Sequence, residues 1–278
     1  MGTPYDAAYT RQFYDAYGER EWERLVSTPR MLVNFHLHCH YLDQYIKTGD
    51  VVLEIGAGAG RFTIELAKRG ARITVGDISP VQLTLNHEKV QEAGYEIAIE
   101  ARDAMDIVDL SRFPSEQFDA VVCYGGPLSY VFDQANQALD EMLRVIKAGG
   151  YLLLGVMSLI GSTHLGLPGV LDIARQKGAD AIQRVNDTGD LLQGIAPQGH
   201  ICHMYRWAEL EMLLQQHPCE LVAVSASNCL SMRNEEALQQ LANDPMLWQQ
   251  FLTWEIGFCR EPGALDCGTH IIAVVKRQ

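Results

Sequence analysis

From Val51 onward the chain repeats one pattern: a short run of apolar residues, then a longer stretch in which apolar residues return every three or four positions. A short continuous apolar run is the mark of a strand buried on both faces, and the longer period is that of a helix with one inward face. The runs place strands at 51–55, 72–77, 96–100, 118–123, 151–158, 220–227 and 270–276. Strands and helices in alternation predict an α/β fold, a doubly wound and mostly parallel sheet of seven strands with helices on both faces. Ser79 and Pro80 fit the cap and first turn of the helix after the second strand. Leu139, Met142, Leu143 and Ile146 mark a later helix, which Gly149 and Gly150 are predicted to end.

Two regions break the alternation. Near the start, Phe13 and Tyr17 lie four residues apart, and Thr28-Pro29 opens a second helix running to about Tyr45. The glycine-rich stretch 159–200 shows no strand pattern, and a stretch of that length is usually a lid or substrate cap. The expected organisation is an N-terminal helical cap (1–48), a ligand-binding core (49–158), a lid insertion (159–200) and the rest of the core sheet (201–278).

The sharpest chemical signal is Glu54-Ile55-Gly56-Ala57-Gly58-Ala59-Gly60, where the first strand gives way to a helix. Glycines there allow a tight turn and let a ligand approach bare main chain. Asp77 closes the second strand at the edge where open α/β sheets bind ligands, and its carboxylate suits a pair of ribose hydroxyls. A dinucleotide fingerprint would require glycine at position 61 or 63, and this chain has Arg61 and Thr63. An acidic residue two positions before the first glycine suits instead a ligand with a cationic amine and no pyrophosphate.

With these motifs the chain resembles the class I S-adenosylmethionine-dependent methyltransferases, well over 51–158 and loosely elsewhere. The resemblance implies a last strand reversed against its neighbours. It also implies that Glu54, Gly56, Ala57, Gly58 and Gly60 hold the methionine end of S-adenosylmethionine, Asp77 the ribose, and Ile78, Asp103 and Ala104 the adenine. Tyr124 begins the loop that would pass near the sulfonium, and the reaction would leave S-adenosylhomocysteine. That loop reads Tyr124-Gly125-Gly126-Pro127 and lacks the Asn/Asp-Pro-Pro-Tyr/Phe motif frequent in enzymes that methylate nucleic-acid amino groups. Two other readings share part of the pattern: a scaffold that binds the cofactor without catalysis, and an NAD-dependent oxidoreductase.

Charge narrows the partner. A formal net charge of −13 opposes the phosphate neutralisation that nucleic-acid binding requires, so a small-molecule acceptor is expected. The expected reaction is in-line displacement by an N or O nucleophile, although the sequence does not itself fix the acceptor atom. No apolar run reaches the length of a membrane span, no secretory signal opens the chain, and the seven cysteines form no Cys-x-x-Cys pair. These features predict a cytoplasmic protein without membrane contact; a monomer or homodimer is expected, which the sequence does not decide.

Candidate acceptor-side residues are histidines and tyrosines. His200 is the expected general base and Tyr14 a positioning or hydrogen-bonding group, with Tyr17, His36, His40 and His203 as further substrate contacts. On a helix His36 and His40 share a face that His38 does not, so at most two of these imidazoles ligate together and no metal is expected.

Overall fold

Thr28 starts the longest helix of the N-terminal region: its Oγ1 accepts from the Met31 N–H at 3.3 Å, and Pro29 occupies the first turn. The computed structural model, which describes residues 2–278, has this helix third in the chain. The N-terminal elements are α1 (Ala7–Tyr17), α2 (Arg20–Arg24) and α3 (Pro29–Tyr45). The core follows as β1 (Val51–Ile55), α4 (Arg61–Lys68), β2 (Arg72–Asp77), α5 (Pro80–Glu92), β3 (Ile99–Ala104), β4 (Phe118–Cys123), α6 (Ala135–Val145) and β5 (Ile146–Met157). Next come α7 (Leu159–Leu165), α8 (Leu167–Lys177), α9 (Ala179–Thr188), β6 (Asp190–Leu191) and β7 (Cys202–His203). The chain closes with α10 (Trp207–Leu214), β8 (Cys219–Ala226), α11 (Glu235–Ala242), α12 (Pro245–Cys259) and β9 (His270–Arg277).

The seven-stranded sheet runs β3-β2-β1-β4-β5-β9-β8. The β1, β2, β3, β4 and β5 pairs are parallel, and β9 lies antiparallel to both β5 and β8, the reversed strand that the resemblance implies. Successive residues of a strand enter opposite cores. Leu53, Val121, Leu154 and Val275 pack with α6 and α10, while Val52, Val122, Leu153 and Val274 pack with α3, α4 and α12. Because β1 and β4 are adjacent and the chain leaves them in opposite directions across the sheet, a crevice opens at their carboxyl ends.

Three expectations need correction. The third strand begins at Ile99, because Glu96–Ala98 form a 3-10 turn that leaves Ile97 98% exposed and pins Glu96 to the Arg102 guanidinium at 2.9 and 3.0 Å. Gly149 and Gly150 do not end a helix. They sit inside β5, where the register against β4 shifts and a Cβ on Gly150 would meet the Asp119 carbonyl oxygen at 2.5 Å. The 159–200 stretch is not strandless: it folds as α7, α8 and α9, then β6, which pairs antiparallel with β7. Leu159, Val185, Cys202 and Met204 bury together against Tyr130 in a small core of their own. Among the described residues no helix is long and apolar enough to cross a membrane.

Candidate active site

The loop from β1 to α4 is built on three left-handed glycines, Gly56, Gly58 and Gly60, at φ of 71°, 52° and 97°. A Cβ on Gly56 would lie 2.1 Å from Pro127 Cγ, so this glycine lets the loop after β4 close against the loop after β1. Asp77 fastens the glycine loop to β2: its Oδ2 accepts from the Gly58 N–H and its Oδ1 from the Ser79 N–H, both at 2.8 Å. Burial pushes the Asp77 carboxyl up to about 6, with those two backbone hydrogen bonds pulling the other way. Each oxygen keeps a lone pair for a further donor.

Gly56, Gly58, Asp77 and Ile78 line one cleft together with Met105, Asp106 and Ile107. Helix α1 closes it from the other side through Thr10 and Tyr14, and the Tyr5 hydroxyl donates to Asp106 Oδ2 at 2.7 Å. Asp103 and Ala104, the sequence candidates for this wall, do not line it: the Asp103 carboxylate faces the Arg112 guanidinium at 3.6 Å and is 44% exposed. The later start of β3 moves the wall onward, and Asp106 stands where Asp103 was expected. Glu54 lies behind the loop, where its Oε2 accepts from Thr63 Oγ1 at 2.5 Å. Burial pushes the Glu54 carboxyl up to about 8. Asn86 completes this support by donating to the Gly58 carbonyl and to Thr63 Oγ1. Ala57, Gly60 and Tyr124 line the recess beneath the loop.

A second compartment of about 310 Å³ shares Tyr14, Glu21, Gly125 and Tyr130 with the first. Its walls include Phe13, Tyr17, Met157, His200 and His270. His200 Nε2 lies 2.9 Å from the Tyr130 hydroxyl, its ring stacks on Phe13 at 5.2 Å, and Tyr14 meets Tyr130 edge-on at 5.5 Å. Burial lowers His200 to about 4, helped by the Arg24 cation, so its imidazole is neutral at pH 7. His270 is lowered further by burial and by its neighbours His38, Arg24 and His200. Two catalytic candidates and Tyr17 thus come together in one chamber beside the first cleft.

The other histidine candidates lie elsewhere. His36 and His40 sit half-buried on α3 outside either compartment, with His40 Nε2 held by Gln44 at 2.6 Å. His203 lines a separate surface groove, clamped between Asp190 at 2.6 Å and Glu209 at 2.9 Å. Both places follow from local packing: α3 turns its His38 face inward, and the β6–β7 pairing directs His203 to α10.

Sequence reasoning missed Glu21, Arg24, Asp106, Tyr130 and His270. Arg24 donates to Glu21 twice, from Nε at 3.0 Å and from Nη2 at 2.6 Å; both residues line the aromatic chamber and the recess beneath the glycine loop, and Glu21 lines the first cleft as well. The pair's one sequence trace was the i, i+3 charge spacing on a very short, polar helix.

Residues 52–150 match a family model described as a methyltransferase domain. Over 105 residues the chain is 34% identical to a demethylmenaquinone methyltransferase of Deinococcus radiodurans, covering 37% of this chain and 41% of that protein. Over 127 residues it is 31% identical to a ubiquinone/menaquinone biosynthesis C-methyltransferase of Neisseria gonorrhoeae, covering 45% and 48%. The matched stretch therefore spans less than half the length of these relatives. Among solved structures, the cyclase SpnF superposes with a TM-score of 0.61 at 17% identity, covering 99% and 97% of the two chains. The 1,6-didemethyltoxoflavin-N1-methyltransferase of Burkholderia thailandensis does so with 0.58 at 15%, covering 98% and 88%. At such identities the likeness is one of fold.

Proposed function

We propose that this chain, whose residues 52–150 match a methyltransferase-domain model, is an S-adenosylmethionine-dependent methyltransferase that transfers the cofactor's methyl group to a small molecule held in the aromatic chamber. One observation carries the reading: the cleft at the strand tips and the aromatic chamber share the walls Tyr14, Glu21, Gly125 and Tyr130, so a donor in one lies beside an acceptor in the other.

The residues present fit an adenosyl cofactor. The glycine loop offers main chain where side chains would intrude, and Asp77 offers open lone pairs at the cleft wall. Asp77 would hold the ribose, Ile78, Met105 and Asp106 the adenine, and the recess under Gly56–Gly60 the amino-acid end. When bound, S-adenosylmethionine supplies an electrophilic methyl on a sulfonium. The protein's own work is then alignment and exclusion of water. Phe13, Tyr14, Tyr17 and Tyr130 provide apolar walls for both purposes. His200, neutral in this setting, takes the proton that an oxygen or nitrogen acceptor gives up, and Tyr130 holds the imidazole in place.

The fold alone does not choose the reaction, since a cyclase shares it. The quinone-related names of the sequence relatives support a flat, ring-bearing acceptor and admit a ring carbon as the methylated atom. The aromatic lining suits such a ring by stacking. The test is to incubate the protein with methyl-labelled S-adenosylmethionine and a low-molecular-weight cell extract. Label recovered in a small metabolite supports the proposal; cofactor bound with no label transferred to any fraction contradicts it and favours a scaffold.

A further inference from the structure

We propose that Glu21 and Arg24 of α2 are the receptor for the amino-acid end of the cofactor, Glu21 for the α-ammonium and Arg24 for the α-carboxylate. The assignment rests on the cofactor reading above and deepens it. The carboxylate that the sequence offers for the ammonium, Glu54, is spent behind the loop on Thr63 and lines none of the cleft. Glu21 stands in front instead: it lines the cleft, the recess and the chamber, and its Cγ lies 3.2 Å from where a Cβ on Gly58 would be. Arg24 borders the recess with Gly56, Ala57 and Gly60, and among the described residues its Nη1 has no hydrogen-bond partner.

The chemistry of the pair matches the ligand. An α-amino acid presents an ammonium and a carboxylate one carbon apart, and here a carboxylate and a guanidinium already lie in contact at the site. Each group can exchange its partner for the complementary group of the ligand, which avoids leaving a buried charge alone. The guanidinium fork also suits a carboxylate bidentately. Helix α2 is registered to the glycine loop by Arg61, the first residue of α4, whose guanidinium lies 3.8 Å over the Trp22 ring and whose Nε donates to the Trp22 carbonyl at 2.5 Å. The same Arg61 that breaks the dinucleotide pattern therefore holds the receptor over the loop.

The test is calorimetric titration of the full chain with S-adenosylhomocysteine and with 5′-methylthioadenosine, which keeps the adenosyl thioether and lacks the amino-acid end. Arg24→Met should weaken S-adenosylhomocysteine by about 100-fold, as loss of a charge-assisted contact does, and change methylthioadenosine less than threefold. Glu21→Gln, which keeps size and leaves Arg24 hydrogen-bonded, should weaken S-adenosylhomocysteine by about 10-fold with the same indifference to methylthioadenosine. Retained methylthioadenosine binding shows that the variant is folded, and Glu21→Gln decides the matter if Arg24→Met does not fold. Equal losses for both ligands, or none for either, would overturn the receptor while leaving the cofactor reading intact. A wild-type protein that binds neither ligand would overturn both.

Discussion

Asp77 Oδ2 accepts the Gly58 N–H at 2.8 Å, so the carboxylate at the tip of β2 and the glycine loop after β1 form one unit. On the proposed reading, ligand binding and loop shape depend on the same side chain. Asp77→Ala removes the acceptor for ribose and strands two inward-facing N–H groups, those of Gly58 and Ser79. Each costs about 1–3 kcal/mol if left unpaired. The expected outcome is a loss of S-adenosylhomocysteine affinity of 100-fold or more with unchanged far-UV circular dichroism; unchanged affinity by calorimetry would contradict the assignment.

Gly56→Ala tests the junction of the two loops. The new methyl would sit 2.1 Å from Pro127 Cγ at a φ of 71°, which combines a clash with a backbone state that costs a non-glycine residue about 1–3 kcal/mol. Reduced thermal stability and weaker S-adenosylhomocysteine binding should appear together, measured by melting curves with and without ligand. Gly94→Ala, also at positive φ but with open space around it, should lower stability without touching affinity.

His203 gives the β6–β7 pair a dependence on pH. Burial lowers its imidazole, but hydrogen bonds to Asp190 and Glu209 outweigh that and raise it to about 9. Its unfolded value is about 6.5, so between 6.5 and 9 the folded chain binds the extra proton. The stabilisation is complete below pH 6.5 and is lost as pH rises through 9. Discounted for the exposure of Glu209, it is on the order of 2 kcal/mol. The melting temperature of the wild type should fall between pH 7 and 9.5 more steeply than that of His203→Gln; parallel slopes would remove His203 from the account.

His200 makes the opposite prediction for activity. Lowered to about 4, it is already neutral at pH 5, so the rate should show no histidine titration between pH 5.5 and 8. His200→Gln should cut turnover by about 10²–10⁴-fold, the range for removing a general base, and leave S-adenosylhomocysteine affinity within about threefold. A rate rising with a midpoint near 6.5, or turnover unaffected in the variant, would assign the proton elsewhere.

The sheet was legible because its central strands are buried on both faces. The short, mainly apolar stretches Val51–Ile55, Arg72–Asp77 and Phe118–Cys123 predict strands with the bounds that the structure has. At the edge the signal fails: Ile97 looks like strand yet points into water, β3 starts later than expected, and Asp106 rather than Asp103 lines the cleft. The glycine loop and Asp77 were legible because backbone geometry demands glycine and a strand tip exposes its last side chain. Glu21 and Arg24 were not. Helix α2 is five residues long, without an apolar period to mark it, and its partners lie some forty residues on, brought close only by the fold. The helices of the 159–200 stretch were not legible, because they bury few residues and α8 buries none.

The most direct measurement is a crystal structure of the chain with S-adenosylhomocysteine. The account predicts the ribose hydroxyls on Asp77, the adenine against Ile78 and Asp106, and the thioether sulfur turned toward the chamber of Tyr130 and His200. Ligand lodged elsewhere, or its sulfur facing away from that chamber, would contradict it.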